Sequence, residues 1–397
     1  MISKIVILTY QPVTKKNRID FFIDKFIEKG FLIEFWVLTN IFHPELINKT
    51  DFKEEDTYQL NSWTELENQL RNENVISTVF FPHITYEWKV VRLFRILTKY
   101  KCKTFFIARG MLAFPNVEKP LLFRIILKLN IFFNIHTVRL YLNNLRAFLL
   151  KKMNYVKNYD IVFSAGKLGY MTLGIGHAIE YKRSKIVRIN SSDYDQYQKI
   201  LKDDGNHVNE TSYCVFLDEY LPYHPDFKIM GLNTVLPEPY YKSLNQFFSR
   251  VESLYNVKVI VAGHPKAQYS INPFDGRDIC FFETAKLVRG ASLVLAHMST
   301  SVSFAVLFNK PVLFFFNNEI QRAFGKARVD IIKHIAYVLS SQAVNVDNLN
   351  DCKLKQVKNL SRVNSEKYDD YKYQYLTSVE TAESDTADII INELRLL

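Results

Sequence analysis

The sequence predicts an α/β fold of two Rossmann-like halves, each a parallel sheet covered by helices, facing a central cleft. Three observations predict it. Short uncharged apolar runs alternate with longer amphipathic stretches along most of the chain, the pattern of buried parallel strands joined by helices. With 397 residues the chain is too long for one ordinary domain and ample for two. A polar stretch, residues 194–212 with KDDGNHVNET at its centre, separates two series of such runs and reads as a linker.

The first series opens with KIVILT, Lys4–Thr9, as a buried strand. Residues 15–29 follow at helical spacing, with Ile19, Phe22, Phe26 and Ile27 on one face and Gly30 as the stop. Leu32–Leu38 is the next strand, and Ser77–Phe81, Thr104–Ile107, Asp160–Ser164 and Lys185–Ile189 continue the set. The second series runs strand Tyr213–Leu217, helix Pro239–Tyr255, strand Val257–Ala262, strand Ile279–Phe282, helix Thr284–Gly290, strand Leu293–Ala296, helix Ser301–Phe308 and strand Pro311–Phe316. The expected divisions are 1–205, 206–375 and a C-terminal segment 376–397.

Composition narrows the function classes. Cys102, Cys214, Cys280 and Cys352 stand far apart with no CxxC pair, which argues against a disulfide framework or zinc site and for a reducing, cytoplasmic setting. The N-terminus has no signal-peptide pattern, and no stretch is apolar for the ~20 residues that a membrane span needs. A net charge of +10 favours an anionic partner: a phosphate-bearing substrate, a membrane surface or nucleic acid. Nucleic acid fits worst, because the aromatics fall within strand and helix cores rather than in a basic groove. Residues 119–152 carry seven Lys/Arg and no Asp/Glu, interleaved with apolar residues, which reads either as an interfacial region on anionic membrane or as core helices with basic outer faces.

Ligands of open parallel sheets bind at the carboxyl ends of the strands, so the residues just past each strand are the candidates. After YCVFL come Asp218 and Glu219; Asp218 is placed to act as a general base, and it reads equally as the cap of a turn before Pro222. After VKVIVA come Gly263, His264, Pro265 and Lys266. Gly263 permits close backbone approach, Pro265 stiffens the loop, His264 can bind or protonate a leaving phosphate, and Lys266 adds charge. A second His-Pro pair, His224-Pro225, lies in the preceding loop. After LVLA come His297, Ser299, Thr300 and Ser301, whose hydroxyls suit either a helix N-cap or an anion. Arg277 is a candidate for pairing with phosphate or a surface turn residue. In the first half, Arg109 follows the strand TFFI, and Gly166-Lys167 is a weaker candidate of the same kind.

GxGxxG, GxxxxGK[ST] and GxSxG are all absent from the sequence, which weakens nicotinamide, flavin, P-loop and hydrolase readings. The stretch FLDEYLPYHPD, the GHPK loop and AHMSTSVSFAVLFNKPVLFF, within residues 213–317, resemble the His-Pro and Ser/Thr motifs of bacterial GT-B sialyltransferases and Kdo transferases of surface-polysaccharide biosynthesis (capsule or lipopolysaccharide).

That resemblance implies a GT-B-like fold and an inverting, metal-independent transfer of a nonulosonic acid or Kdo from a CMP-sugar to a glycan or lipid-linked glycan. No cofactor beyond the donor is implied. Asp218 would be the base, His264 would meet the CMP phosphate, and Ser299, Thr300 and Ser301 would bind it. Gly263, Pro265, Lys266, Arg277 and His297 complete the donor set, with Arg109 and Glu219 on the acceptor side. The first domain would bind acceptor, the second nucleotide-sugar, and the C-terminal segment would return to the first. Two departures stand out: Ser-Thr-Ser replaces plain Ser-Ser, and Glu219 beside Asp218 leaves the base open. The E-x7-E of retaining GT-B members is missing around Glu283, since position 291 is Ala, and the DxD of Asp193 and Asp195 reads as solvated acid. The competing expectation is a GT-B member using a UDP- or TDP-sugar, or a related sugar epimerase.

Overall fold

The computed structural model describes residues 2–10, 13, 15–43, 56–109, 112–113, 135–203, 212–225, 227, 233–350 and 363–397. The chain divides into two compact units. The first comprises Met1–Met111, Leu121–Ser192 and Thr377–Leu397, the second Leu112–Pro120 and Asp193–Leu376.

The first unit holds a seven-stranded sheet. Its strands are β1 (Lys4–Thr9), β2 (Leu32–Val37), β3 (Thr57–Gln59), β4 (Thr78–Pro82), β5 (Lys103–Ala108), β6 (Ile161–Ala165) and β7 (Lys185–Ile189). They pair in the order β3-β2-β1-β4-β5-β6-β7, all parallel, with Leu8 level with Trp36 on one side and Pro82 on the other. Strands covered on both faces must be apolar on both, and β1, β4 and β6 are buried along nearly their whole length. Phe81 and Phe105 stack at 4.9 Å in this core, and Trp36 meets Phe80 edge-on at 5.7 Å. Burying each such ring contributes about 1.5–3 kcal/mol.

The second unit holds β8 (Tyr213–Leu217), β9 (Lys258–Gly263), β10 (Ile279–Phe281), β11 (Leu293–Ala296), β12 (Val312–Phe316) and β13 (Ala343–Asn345). Their order is β10-β9-β8-β11-β12-β13, again all parallel. Phe216 sits at the centre of this core, with the rings of Phe248, Phe315 and His297 at 5.1, 5.7 and 5.5 Å. Both sheets therefore have the doubly wound order, in which the chain first steps one way from the central strand and then returns to step the other.

Three expectations change. The helix expected over 15–29 is two, Lys15–Asp20 and Ile23–Glu28, broken where Phe22 takes a left-handed φ of 58°. The break rotates the buried face to Phe21, Ile23 and Phe26, and leaves Ile19 73% exposed. The polar stretch after residue 194 is not a linker at its start: Ser192–Lys202 is a helix that buries Tyr194 and Ile200. It belongs to the second unit, with Tyr197 against Phe308 at 5.0 Å and Arg289 donating to the Ile200 carbonyl, so the units part at Ser192 rather than near 205. Asp193 is not a solvated acid; its carboxylate accepts from the Ser303 hydroxyl.

At the other end, the helix Thr386–Arg395 buries Ala387, Ile390, Ile391 and Leu394 within the first unit. Buried Asn190 fastens this segment after β7: its amide donates to the Thr381 and Ser384 carbonyls, and its oxygen accepts from the Thr377 hydroxyl at 2.6 Å.

Candidate functional site

The strand order reverses next to β8, between β9 on one side and β11 on the other. The three loops leaving these strands are those of Asp218-Glu219, His264 and His297–Ser301, and side chains of the first tie them together.

Asp218 is buried, only 4% exposed. Its Oδ1 accepts the Tyr220 N–H at 2.9 Å, a turn in which Tyr220 takes a φ of 51°. Its Oδ2 accepts the Tyr269 hydroxyl at 2.7 Å and the His264 N–H at 3.3 Å. Burial raises the Asp218 carboxyl above its ordinary range, and these three donors hold the rise back. The turn-cap reading is thus realised, together with a grip on the His264 loop.

Glu219 reaches the other way. Its Oε1 accepts the Met298 N–H, and its Oε2 pairs with Arg328 at 2.7 Å. Arg328 comes from the helix Asn318–Val338, which is kinked at Gly325, and its guanidinium lies over the Phe324 ring.

His264 is half-buried; its Nδ1 accepts the Lys266 N–H at 3.1 Å, leaving Nε2 to carry the proton of the neutral ring. Lys266 is exposed and Pro265 sits between them in the turn. Ser299 uses its hydroxyl to accept the Ser301 N–H at 3.3 Å, Thr300 is exposed, and the helix that follows is short, Val302–Leu307.

Three residues expected to face a ligand are engaged elsewhere. His297 is wholly buried: Nδ1–H donates to the Phe315 carbonyl at 2.7 Å and Nε2 accepts the Tyr240 hydroxyl at 3.2 Å. Burial also holds its imidazole below the ordinary range. Arg277 forms a two-point pair with Glu252 and donates to the Ser249 hydroxyl and the Phe274 carbonyl. At Gly263 a Cβ would stand 2.6 Å from the Phe281 ring, so the strand end packs closely against that side chain.

In the first unit, Arg109 lies after β5 with its guanidinium 5.0 Å over the Phe22 ring. Gly166 takes a φ of 57° after β6, and its carbonyl accepts from Arg188. Among the described residues, no three His, Cys, Asp or Glu gather as a metal site.

No protein-family model and no curated protein matches the chain in sequence. Solved structures do. The wall teichoic acid polymerase TagF is similar at 9% identity over 99% of this chain and 90% of its own, with a TM-score of 0.51. A variant of TagF is similar at 10% identity over 99% and 89%, with a TM-score of 0.52. The fold is GT-B-like, as expected from the sequence. The UDP-GlcNAc 2-epimerase of Methanocaldococcus jannaschii is similar at 13% identity over 99% of both chains, with a TM-score of 0.48. At such identities the likeness to TagF is one of fold.

Arg328 is the site residue missed in the sequence. The helix that carries it follows the last apolar run considered, and a lone Arg on an amphipathic helix gives no signal of its own. Of the 119–152 stretch, residues 119–134 lie outside the described residues. The remainder is the helix Ile135–Lys152, in which Leu142, Leu145 and Leu149 are exposed at 47, 42 and 43% while Ala147 and Lys151 are buried. No described helix is long and apolar enough to cross a membrane.

Proposed function

We propose that this chain is a GT-B-type enzyme acting on a nucleotide-activated sugar, with the nucleotide phosphate held on the second unit between the His264 loop and the Met298–Ser301 turn. The observation that carries this reading is the position of those loops: they flank β8 where the strand order reverses, the place at which doubly wound sheets take their ligands. Glu219 binds the backbone of one loop and Asp218 that of the other, so the arrangement is preorganised.

The nucleotide-sugar reading comes in two forms. CMP-sugar transfer of a sialic acid-like or Kdo residue to a surface glycan rests on short motifs. With His297 enclosed, Arg277 paired and Gly263 packed under Phe281, fewer motif residues are left to serve it. We therefore put first the alternative of a UDP- or TDP-sugar enzyme or sugar epimerase. His264, Lys266, Ser299, Thr300 and Ser301 are the proposed phosphate contacts. Asp218, buried and holding the Tyr220 and His264 N–H groups and the Tyr269 hydroxyl with its two oxygens, is proposed as a positioning residue rather than the base. Neither form routes a step through a metal ion.

A peripheral contact with anionic membrane, at the cytoplasmic face, is proposed for the helix Ile135–Lys152, whose exposed leucines lie among the exposed Arg139 and Arg146. A thermal-shift screen of UDP, TDP, CMP and GDP tests the main reading, because a ligand of the folded state raises apparent stability by mass action. Selective stabilisation by one pyrimidine nucleotide supports it; stabilisation by none overturns it.

A further inference from the structure

The helix Pro237–Tyr255 and the loop that joins β9 to β10 line a second cleft, of about 1190 Å³, on the second unit. On the helix, Glu238, Lys242, Gln246 and Arg250 recur every four residues, so they share one face, and all are exposed. The loop contributes Ile271, Pro273 and Asp275, and Ile271 is 82% exposed. Buried Tyr241 lines the cleft as well, its ring edge-on to Phe274 at 5.4 Å. The two walls are fixed to one another. Asn245 Nδ2 donates to the Pro273 carbonyl at 2.9 Å, and Asn272 Oδ1 accepts the Phe274 N–H at 2.8 Å. Arg277 completes the join: it donates to the Ser249 hydroxyl at 2.9 Å and the Phe274 carbonyl at 3.2 Å while paired with Glu252 at 2.6 Å. The arginine expected at a phosphate is therefore a strut of this cleft. The side chains of Glu238, Lys242, Gln246 and Asp275 bond no described residue, which leaves their polar atoms open to a ligand.

We infer that this cleft binds an uncharged oligosaccharide. Its two carboxylates, Glu238 and Asp275, balance its two cations, Lys242 and Arg250, so it has no net attraction for a polyanion. An apolar peptide or acyl chain would strip water from the same four charges and put nothing in its place. Sugar hydroxyls suit both signs, since each can donate to a carboxylate and accept from a cation or an amide. The C–H faces of sugar rings are apolar and can pack on Ile271 and Pro273. The volume exceeds the roughly 300–1,000 Å³ of small-molecule sites, which leaves room for more than one sugar unit. Because the walls are already joined, little order is lost when the ligand docks. The inference does not rest on the nucleotide reading: none of the proposed phosphate contacts lines this cleft.

The test is an array of immobilised oligosaccharides probed with the full chain. One set is neutral, built of glucose, galactose, mannose or N-acetylglucosamine; the other is carboxylated or sulfated. Titration with the strongest neutral binder then compares the wild type with Gln246→Ala and Ile271→Asp, two exposed positions whose replacement leaves the core intact. The inference predicts binding within the neutral set, weakened about 10-fold or more in each variant, with urea midpoints unchanged and no displacement by UDP or CMP. Binding confined to the charged set, wild-type affinity in either variant, or displacement by UDP or CMP overturns it. Nucleotide binding with no glycan bound overturns it and leaves the nucleotide reading in place. Neutral-glycan binding by a chain that takes no nucleotide sustains the inference and removes the nucleotide reading. Binding of neither removes both.

Discussion

Glu219 accepts the backbone N–H of Met298 and so joins the loop after β8 to the loop after β11 where the strand order reverses. Its second oxygen holds Arg328. Glu219→Gln keeps one acceptor but turns an amide towards the guanidinium. It should cost about 1–3 kcal/mol of stability by urea denaturation, the penalty of a half-buried group left without its partner, and weaken nucleotide binding in parallel. Unchanged stability with abolished turnover would instead make Glu219 the base.

Asp218 predicts a different signature. Its three donors come from two loops, so Asp218→Asn should loosen the His264 loop and lower turnover and nucleotide affinity together. Steady-state kinetics and titration separate this from base catalysis. A fall in kcat of ~10²-fold or more with affinity intact would restore Asp218 as the base.

His297 gives a pH dependence. Its folded-state pKa lies below the ordinary value of about 6.5, chiefly because the ring is buried. Between those two values the unfolded chain holds a proton that the folded chain does not, so stability falls as pH drops below about 6.5. Urea midpoints at pH 7, 6 and 5 should decline in the wild type. His297→Leu should be less stable at pH 7, having lost both hydrogen bonds, and show a flatter decline. Parallel slopes would mean that His297 is not the group responsible.

The first unit buries an ion pair, Lys151 with Glu180, among the rings of Tyr86, Phe94 and Tyr159. Glu180 also accepts the Tyr159 N–H and the Ser184 hydroxyl. Glu180→Gln leaves the Lys151 charge buried without its counter-ion and should cost about 3–5 kcal/mol. Adding Lys151→Met should recover part of that loss by chemical denaturation. A double variant less stable than the single would show that the charge was not the problem.

The inner strands were legible because strands covered on both faces must be continuous apolar runs, and β8 and β11 start and stop where such runs do. The edge strands β3 and β13 were not. Each is three residues long and incompletely buried, so Thr57–Gln59 and Ala343–Asn345 carry no apolar pattern. Asp218, Glu219, His264 and Ser299 could be found as the first polar residues past apolar runs. What each touches could not, because the order in which parallel strands pair leaves no local mark. His297 and Ser299 look alike in sequence, yet one is enclosed by Phe216 and Phe315 and the other lies in the turn beyond.

The central claim is that the phosphate of a pyrimidine nucleotide binds between the His264 loop and the Met298–Ser301 turn. The most direct measurement is titration of UDP and CMP into the wild type, His264→Ala and Arg277→Ala. One nucleotide should bind the wild type, bind His264→Ala about 10-fold or more weakly, and bind Arg277→Ala as the wild type, since Arg277 is committed to Glu252. Loss of binding in Arg277→Ala with His264→Ala unaffected, or no nucleotide binding at all, would contradict the account.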